Sequence, residues 1–234
     1  MVNLLNKFCL FIGYAYSGST ITGNIIDMHP NIKIAKQFDV LKFMRDSKGD
    51  TRKKIINKIS NGKQYEMIGT KAGHKTLKHL FGYGEDLMRF KYYVGMKMYY
   101  IHIIRNPFDN ISSWTNNVTK RDKRHGRILL PDEHLTNIRI IHYDKLNEMI
   151  NNLKSDENIY SFYLENLISN PDEEIKKLFN YLEIDVSNKT IDKIIKVLYK
   201  KPTEPRLKYK FTENQTRQIN NIIQRYEWLK GYKL

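Results

Sequence analysis

Within its first 28 residues the sequence passes from an apolar run to a glycine-bearing loop and then to an amphipathic helix. Residues 8–12 have the pattern of a buried strand, and residues 13–20 (Gly-Tyr-Ala-Tyr-Ser-Gly-Ser-Thr) follow directly. A helix with apolar residues on one face is predicted for residues 19–28. The loop is therefore expected at the carboxyl end of a strand, where ligands of parallel α/β sheets bind.

The alternation of strands and helices continues along the chain. Further strands are predicted at residues 65–69, 98–104 and 159–164, where β-branched and aromatic residues are frequent. Helices are predicted at residues 38–45, 51–60, 131–153, 171–182, 191–199 and 213–226, from Pro107 onwards, and in the segment up to residue 90. The expected fold class is α/β, a single P-loop-like three-layer domain over residues 1–234 with a central parallel sheet flanked by helices.

Charge and cysteine content limit the partners and the compartment. The net charge of +15 attracts polyanions, although a general bias towards Lys, Asn, Ile and Tyr accounts for part of it. The single cysteine, Cys9, excludes an internal disulfide and is expected to be a buried, inert thiol. No stretch reaches the ~20 apolar residues that span a bilayer, and no signal peptide is recognised. A basic, cytoplasmic protein is therefore expected.

The loop at residues 13–20 has the outline of a phosphate-binding loop, G-x-x-x-x-G-K-[ST], but Ser19 replaces the lysine. Its amide groups and the dipole of the following helix would face an anion, with hydroxyl donors from Ser17, Ser19 and Thr20. ATP needs the missing lysine and Mg²⁺, whereas the sulfuryl group of a phosphosulfate has no ionisable oxygen. The loop therefore favours a phosphosulfate. The alternative is an ordinary strand–turn–helix junction with serine N-caps.

A second polar segment follows the strand predicted at residues 98–104. Arg105 stands at the end of this strand, and Ser113 lies eight positions later in the next helix. The two side chains could face one cleft and bind a phosphate through a guanidinium fork and a hydroxyl. Asp109 is interpreted as a structural cap or an arginine partner. A surface ion pair is the alternative role for Arg105.

Taken together, these segments resemble the sulfotransferases that use 3'-phosphoadenosine-5'-phosphosulfate (PAPS). Residues 13–20 are similar to the family's 5'-phosphosulfate loop, and residues 105–113 are similar to its 3'-phosphate motif, R-x-P-x-D followed by serine. Lesser similarities occur in the same order as in the family, at His29-Pro30-Asn31, at Leu164-Glu165-Asn166-Leu167 with Asn170-Pro171, and in the tail from Arg206 to Tyr232.

The resemblance implies a role for each matching residue. The 5'-phosphosulfate would be held by the loop residues Tyr16, Ser17, Gly18, Ser19 and Thr20. The 3'-phosphate would be held by Arg105 and Ser113, with Arg206 adding to that site.

The sequence departs from the family pattern at two positions. Tyr16 stands where the family usually has the lysine or arginine that stabilises the bridging oxygen as the bond to sulfur breaks. Either another cation substitutes, for which Lys36, Lys71 and Arg105 are the candidates, or activity is weak or absent. Leu164 stands where the family tends to have a tyrosine near the adenine, so Tyr163 or another aromatic residue must stack there, or none does.

The implied reaction is an in-line displacement at sulfur by a hydroxyl or amine, with a base to accept the proton. His74 is the candidate base and Lys71 the candidate cation, because both follow a predicted strand where many family members carry catalytic residues. A solvated loop histidine is the alternative for His74. Asp39 is a rival base or a helix N-cap, and His102 is expected to be buried and structural. No metal is required, and no HExxH or CxxC motif occurs.

The predicted function is that of a PAPS-dependent sulfotransferase of the EC 2.8.2 type, which releases 3',5'-bisphosphoadenosine. Its acceptor would be a small molecule or a glycan, bound by the variable regions at about residues 36–64 and 115–135. No stable nucleic-acid partner is expected, and the oligomeric state is open. The alternatives are a non-catalytic binder of polyanions or nucleic acid on the same fold, and a degenerate P-loop nucleotide kinase.

The densest basic cluster, residues 120–127, is predicted to be an exposed loop. It would be either a solvated surface or a gate for an anionic acceptor or the nucleotide.

Overall fold

A parallel sheet of five strands lies at the centre of the computed structural model, which describes residues 5–71, 86–126, 132–198 and 200–234. The strands are β1 (Lys7–Ile12), β2 (Ile32–Ala35), β3 (Met67–Thr70), β4 (Lys97–Ile104) and β5 (Ile159–Tyr163). Their order is β2-β3-β1-β4-β5, so β1 is central and the loop that follows it leaves the middle of the sheet.

Side chains of β1 alternate between two apolar cores. Phe8, Leu10 and Ile12 belong to one core, whereas Cys9 and Phe11 belong to the other. This alternation follows from the strand period of two, and it requires helices on both faces of the sheet. The predicted three-layer α/β fold is therefore confirmed.

The described helices divide between the two faces. One core includes buried residues of α2 (Val40–Asp46), α3 (Thr51–Ser60), α4 (Asp86–Val94), α5 (Pro107–Arg124), α6 (Asp132–Asp156) and α10 (Glu213–Arg225). The other includes α1 (Ser19–Asp27), α7 (Leu164–Ser169), α8 (Pro171–Tyr181) and α9 (Asn188–Val197). None of the helices described here has the length and apolar character required to cross a membrane.

Three elements differ from the sequence-based expectations. The strand β2 was not predicted, because its four residues at the sheet edge give too short a pattern. The helix α7 begins at Leu164, where only the end of a strand was expected. The basic residues from Lys120 to Arg124 do not form a loop but complete α5, whose negative helix end their charges complement.

Gly69 in β3 allows the central strands to approach closely. A Cβ atom at this position would lie 2.4 Å from the carbonyl oxygen of Cys9 on β1. Because that oxygen belongs to the sheet backbone, it cannot move away cheaply. We expect Gly69→Ala to lower the free energy of unfolding by about 3 kcal/mol or more, at the upper end of overpacking effects, as measured by urea denaturation.

A matched control separates this clash from the general effect of replacing glycine. Gly62 has a φ of 77°, but no atom lies within 4 Å of a Cβ built there. Gly62→Ala should therefore cost only the ~1 kcal/mol of a left-handed residue. Equal destabilisation by the two substitutions would contradict the steric explanation.

Candidate functional site

A cavity of about 860 Å³ opens at the carboxyl ends of the central strands. It is lined on one side by the loop after β1 and the start of α1, and elsewhere by Lys71 after β3, Arg105 after β4 and residues of α5 and α7. Its volume lies within the ~300–1,000 Å³ that is usual for small-molecule and cofactor sites. The loop at residues 13–20 and the segment that begins at Arg105 thus meet in one cleft.

The loop after β1 is anchored by a buried tyrosine. Tyr14 is 2 % exposed, stacks on Tyr143 of α6 with ring centroids 4.4 Å apart, and donates a hydrogen bond to Asn147. Trp228 donates to the same Asn147 oxygen at 3.2 Å. The base of the loop is therefore packed into the core, although nothing in the loop sequence indicated this anchor.

Three consecutive carbonyl groups of the loop, those of residues 14–16, each accept a hydrogen bond from a protein donor. The Tyr14 carbonyl accepts from the Ser17 hydroxyl at 3.0 Å, and the Ala15 carbonyl accepts from the Asn110 amide at 2.9 Å. The Tyr16 carbonyl accepts from Arg105 Nη1 at 2.8 Å. Oxygen atoms that would repel an anion are thus held by donors, which leaves the amide groups as the ligand-facing part of the loop.

The start of α1 carries no side-chain cap. Its N-cap residue is Gly18, with a φ of 105° and no hydrogen bond from a side chain to the first amides. The serine-capped junction considered from the sequence is therefore not what forms. Glycine is required here because a Cβ atom would lie 2.7 Å from Leu164 Cδ1 in a conformation that other residues rarely adopt. An uncapped helix start facing a cavity is suited to bind an anion.

Ser19 and Thr20 line the cavity together with Gly18 and Tyr16, whereas the buried Ser17 hydroxyl is directed to the loop backbone. The Tyr16 side chain is 39 % exposed, and its φ of 64° is unusual for a non-glycine residue. Tyr16 therefore adopts a strained backbone conformation, and Arg105 stabilises it by donating to its carbonyl group.

Arg105 is the central cation of the cleft. It is 7 % exposed, and burial lowers its pKa although it remains charged. Its guanidinium donates to Ser113 Oγ at 3.2 Å and to both the carbonyl and the hydroxyl of Thr203 at 3.0 Å. The predicted proximity of Arg105 and Ser113 is thus observed, and neutral partners surround the guanidinium in place of a surface ion pair.

Lys71 is the second buried cation of the cleft. It is 8 % exposed and donates to the Thr20 hydroxyl at 2.9 Å. Burial lowers its pKa, and the charge of Lys36 lowers it further. Lys71, which directly follows β3, thus places an ammonium group beside the start of α1, next to a loop that has no lysine of its own.

Arg206 lies outside the cavity lining. Its guanidinium forms an ion pair with Asp109, which is almost fully buried, and its backbone amide donates to the same carboxylate at 2.9 Å. A second ion pair joins it to Glu204. Asp109 therefore has the predicted role of an arginine partner, and Arg206 fastens the segment that contains Thr203 to α5.

The apolar lining contributed by α1, α7 and α9 is aliphatic, whereas Trp114 of α5 adds an aromatic ring elsewhere in the cavity. The aliphatic part consists of Ile21, Met28 at the end of α1, Leu164, Ile168 and Val197. Tyr163, the other residue considered for stacking on the adenine, does not line the cavity. Its ring centroid lies 6.1 Å from that of Tyr232.

The described part of the cavity lining contains no histidine or carboxylate. His74 lies outside the described residues, so its role as the base stays a prediction. Asp39 caps α2 by accepting from the Lys42 amide at 3.1 Å, which matches the structural alternative. His102 is fully buried, and burial lowers its pKa well below the usual value, as expected for a structural residue. The described residues contain no cluster of metal-ligating side chains.

Comparisons with known proteins agree with this geometry. The sequence matches the family described as "Sulfotransferase domain" over residues 9–225. Mouse sulfotransferase SULT7A1, solved in complex with PAP, is 17 % identical, with a TM-score of 0.61 over 97 % of this chain and 89 % of that one. The sulfotransferase domain of the Synechococcus PCC 7002 olefin synthase is 13 % identical, with a TM-score of 0.59 over 94 % of each chain.

Sulfotransferase STF9 from Mycobacterium avium is 10 % identical, with a TM-score of 0.62 over 95 % of this chain and 77 % of that one. No curated protein sequence gives a significant match. At such identities the structural likeness shows the fold, whereas the family match spans most of the chain. The chain therefore belongs to the sulfotransferase family.

Proposed function

We propose that the protein transfers the sulfuryl group of PAPS to a hydroxyl or amine group of an acceptor. The observation that carries this proposal is the shared cleft, in which an uncapped helix start and Arg105 line one cavity. These two anion-binding groups match the two phosphate-bearing ends of the nucleotide. The cavity is also large enough for a nucleotide, so the residues present fit PAPS.

At the 5' end, the amides of the loop and the hydroxyls of Ser19 and Thr20 would bind the phosphosulfate. Lys71 would supply the cation that Tyr16 cannot, since it is buried at the cavity wall and 2.9 Å from Thr20 Oγ1. A positive charge at this point stabilises the negative charge that develops on the bridging oxygen. Lys36, in contrast, is exposed and affects the site through the pKa of Lys71.

At the 3' end, Arg105 and Ser113 would bind the phosphate together. The guanidinium now donates to the exposed Thr203, and a phosphate could replace that partner because it offers stronger charge-assisted bonds. Arg206 would contribute indirectly by holding the Thr203 segment through Asp109.

The adenine would lie between aliphatic side chains of α1 and α7, among them Ile21, Leu164 and Ile168. These three side chains provide an apolar slot, whereas the aromatic residues of the described lining, Tyr16 and Trp114, belong to the loop and to α5. Apolar walls with a few polar groups are usual for such ligands.

In the proposed reaction the acceptor oxygen or nitrogen forms a bond to sulfur as the bond from sulfur to the bridging oxygen breaks. The bridging oxygen leaves with 3',5'-bisphosphoadenosine and is stabilised by Lys71 and the loop amides. The acceptor proton passes to a base, for which His74 remains the proposed residue. The chain needs no metal for these steps, because its own cations and amides balance the charge.

Ligand-dependent thermal stability tests this proposal against the two alternatives. At 100 times Kd, 3',5'-bisphosphoadenosine should stabilise the protein by about 2.7 kcal/mol and raise Tm by roughly 5–10 °C. ATP with Mg²⁺ and a short RNA should give much smaller shifts. A larger shift with ATP would indicate a nucleotide kinase, and a larger shift with RNA would indicate a nucleic-acid binder.

A further inference from the structure

The α5 side of the cavity carries an arginine, Arg121, that the proposed nucleotide site does not use, and a second arginine packs against the same side. Trp114, Val118 and Arg121 of α5 line the cavity, and their spacing of four and three positions places them on one helix face. Arg139 of α6 does not itself line the cavity, but its guanidinium carbon lies 4.9 Å from the centroid of the Trp114 ring. We call Trp114, Arg121 and Arg139 the arginine–tryptophan wall.

Arg139 is a poorly neutralised cation. It forms no ion pair with any described residue, its Nε is buried without a hydrogen-bond partner, and Nη1 lies 3.5 Å from His142 Nδ1. Burial lowers the pKa of Arg139, and the nearby charge of Arg121 lowers it further. The charge of Asp122 raises this pKa, so the two arginines share one carboxylate. Two like charges this close are costly unless enough negative charge lies near both.

The neighbouring carboxylate compensates only in part. Asp122 Oδ1 lies 3.3 Å from Arg121 Nε, in a pair whose arginine side chain is 56 % exposed, and such surface pairs contribute little. Asp122 does not line the cavity, and neither does any other described carboxylate. Arg121 therefore adds positive charge to a described lining that contains no carboxylate to neutralise it, and Arg139 adds a second charge beside Trp114.

The geometry of Arg139 also favours recognition of an anion. Its guanidinium lies over the Trp114 ring, and Trp114 is almost fully buried, so the position of the group is restricted. A planar guanidinium fixed in this way can donate to a carboxylate, sulfate or phosphate from its edge at little further entropic cost.

We infer that the acceptor is an anion, namely a hydroxyl compound that bears a carboxylate, sulfate or phosphate group, and that the arginine–tryptophan wall recognises this group. This inference rests on the proposed sulfuryl transfer, because the wall and the nucleotide cleft belong to one cavity. It gives a role to the arginine–tryptophan wall, which nucleotide binding leaves unexplained, and it names the class of acceptor.

The test measures binding by calorimetry, so that it does not depend on turnover. Protein saturated with 3',5'-bisphosphoadenosine is titrated with 4-hydroxybenzoate and 4-hydroxyphenyl sulfate, and with neutral 4-hydroxybenzamide for comparison. The wild type should bind both anions at least about tenfold more tightly than the amide, the fold-change expected for one charge-assisted contact. Absence of this preference would overturn the inference.

Variants of the wall show whether these arginines cause the preference. Arg139→Gln and Arg121→Gln should each reduce it to about threefold or less, with the Kd of bisphosphoadenosine unchanged within about twofold. Arg124→Gln is the matched control, since it removes a charge from the same end of α5 at an exposed residue that neither lines the cavity nor has an ion pair, hydrogen bond or ring contact with a described lining residue. An unchanged preference in Arg139→Gln, or an equal loss in Arg124→Gln, would overturn the assignment.

The same experiment distinguishes failure of this inference from failure of the proposed function. If bisphosphoadenosine does not bind to the wild type, the sulfotransferase proposal itself is wrong. If it binds but the anions are not preferred, only the acceptor class is wrong.

Discussion

Arg105→Ala should weaken the binding of 3',5'-bisphosphoadenosine by about 100-fold or more, equivalent to roughly 2.7 kcal/mol. The expected size follows from losing charge-assisted hydrogen bonds to a phosphate in a site where the guanidinium is only 7 % exposed. Calorimetry on the wild type and the variant gives the two Kd values. Ser113→Ala, which leaves the guanidinium in place, should cost only about 1 kcal/mol.

Adenosine 5'-phosphate provides the sharpest control for Arg105, because it lacks the 3'-phosphate. Its Kd should be nearly the same for the wild type and for Arg105→Ala. Arg105 also holds the Tyr16 carbonyl and Thr203, so a general distortion of the loop is the competing explanation. An equal loss for both nucleotides would indicate that distortion and remove Arg105 from the 3'-phosphate site.

Lys71→Met should lower kcat by about 10²–10³-fold, the usual effect of removing a group that stabilises transition-state charge. The Kd of 3',5'-bisphosphoadenosine should rise by at most about tenfold, because the lysine acts mainly on charge that develops as the sulfur–oxygen bond breaks. Turnover is measured as transfer of the radiolabelled sulfuryl group from PAPS, both to acceptors that the wild type uses and to water.

Lys36→Met is the matched control for Lys71, since the two charges are close enough for Lys36 to lower the pKa of Lys71. Lys36 is exposed, so its removal should change kcat by less than about threefold. If Lys71→Met retained full turnover, another group would have to replace the missing loop cation.

The sequence was sufficient to predict the framework of the cleft. The apolar run before Gly13 and the strand before Arg105 are central strands, and parallel strands bring their carboxyl ends to one edge. The eight-residue spacing between Arg105 and Ser113 likewise predicted their contact, because the first turns of a helix have fixed geometry.

Other parts of the site could not be predicted, because they depend on contacts between distant segments. Thr203 reaches Arg105 across 98 positions, and no local pattern marks it as a partner. Arg139 lies on α6 among many charged residues, and only the packing of α6 against α5 brings it to Trp114. Arg206 was expected at the nucleotide from its place in a motif. The motif does not reveal that Arg206 pairs with Asp109, a residue 97 positions away.

The hydrogen bonds to the loop carbonyls allow the affinity for the nucleotide to change without any change in the groups that contact it. Asn110 is fully buried and does not line the cavity, yet its amide holds the Ala15 carbonyl in place. A substitution of Asn110 would leave every ligand-facing group intact but would free the Ala15 carbonyl. The more flexible loop would then have to be ordered each time the nucleotide binds, which lowers the affinity. Evolution or engineering could therefore retune the working concentration range of this enzyme from a residue that its substrates never contact.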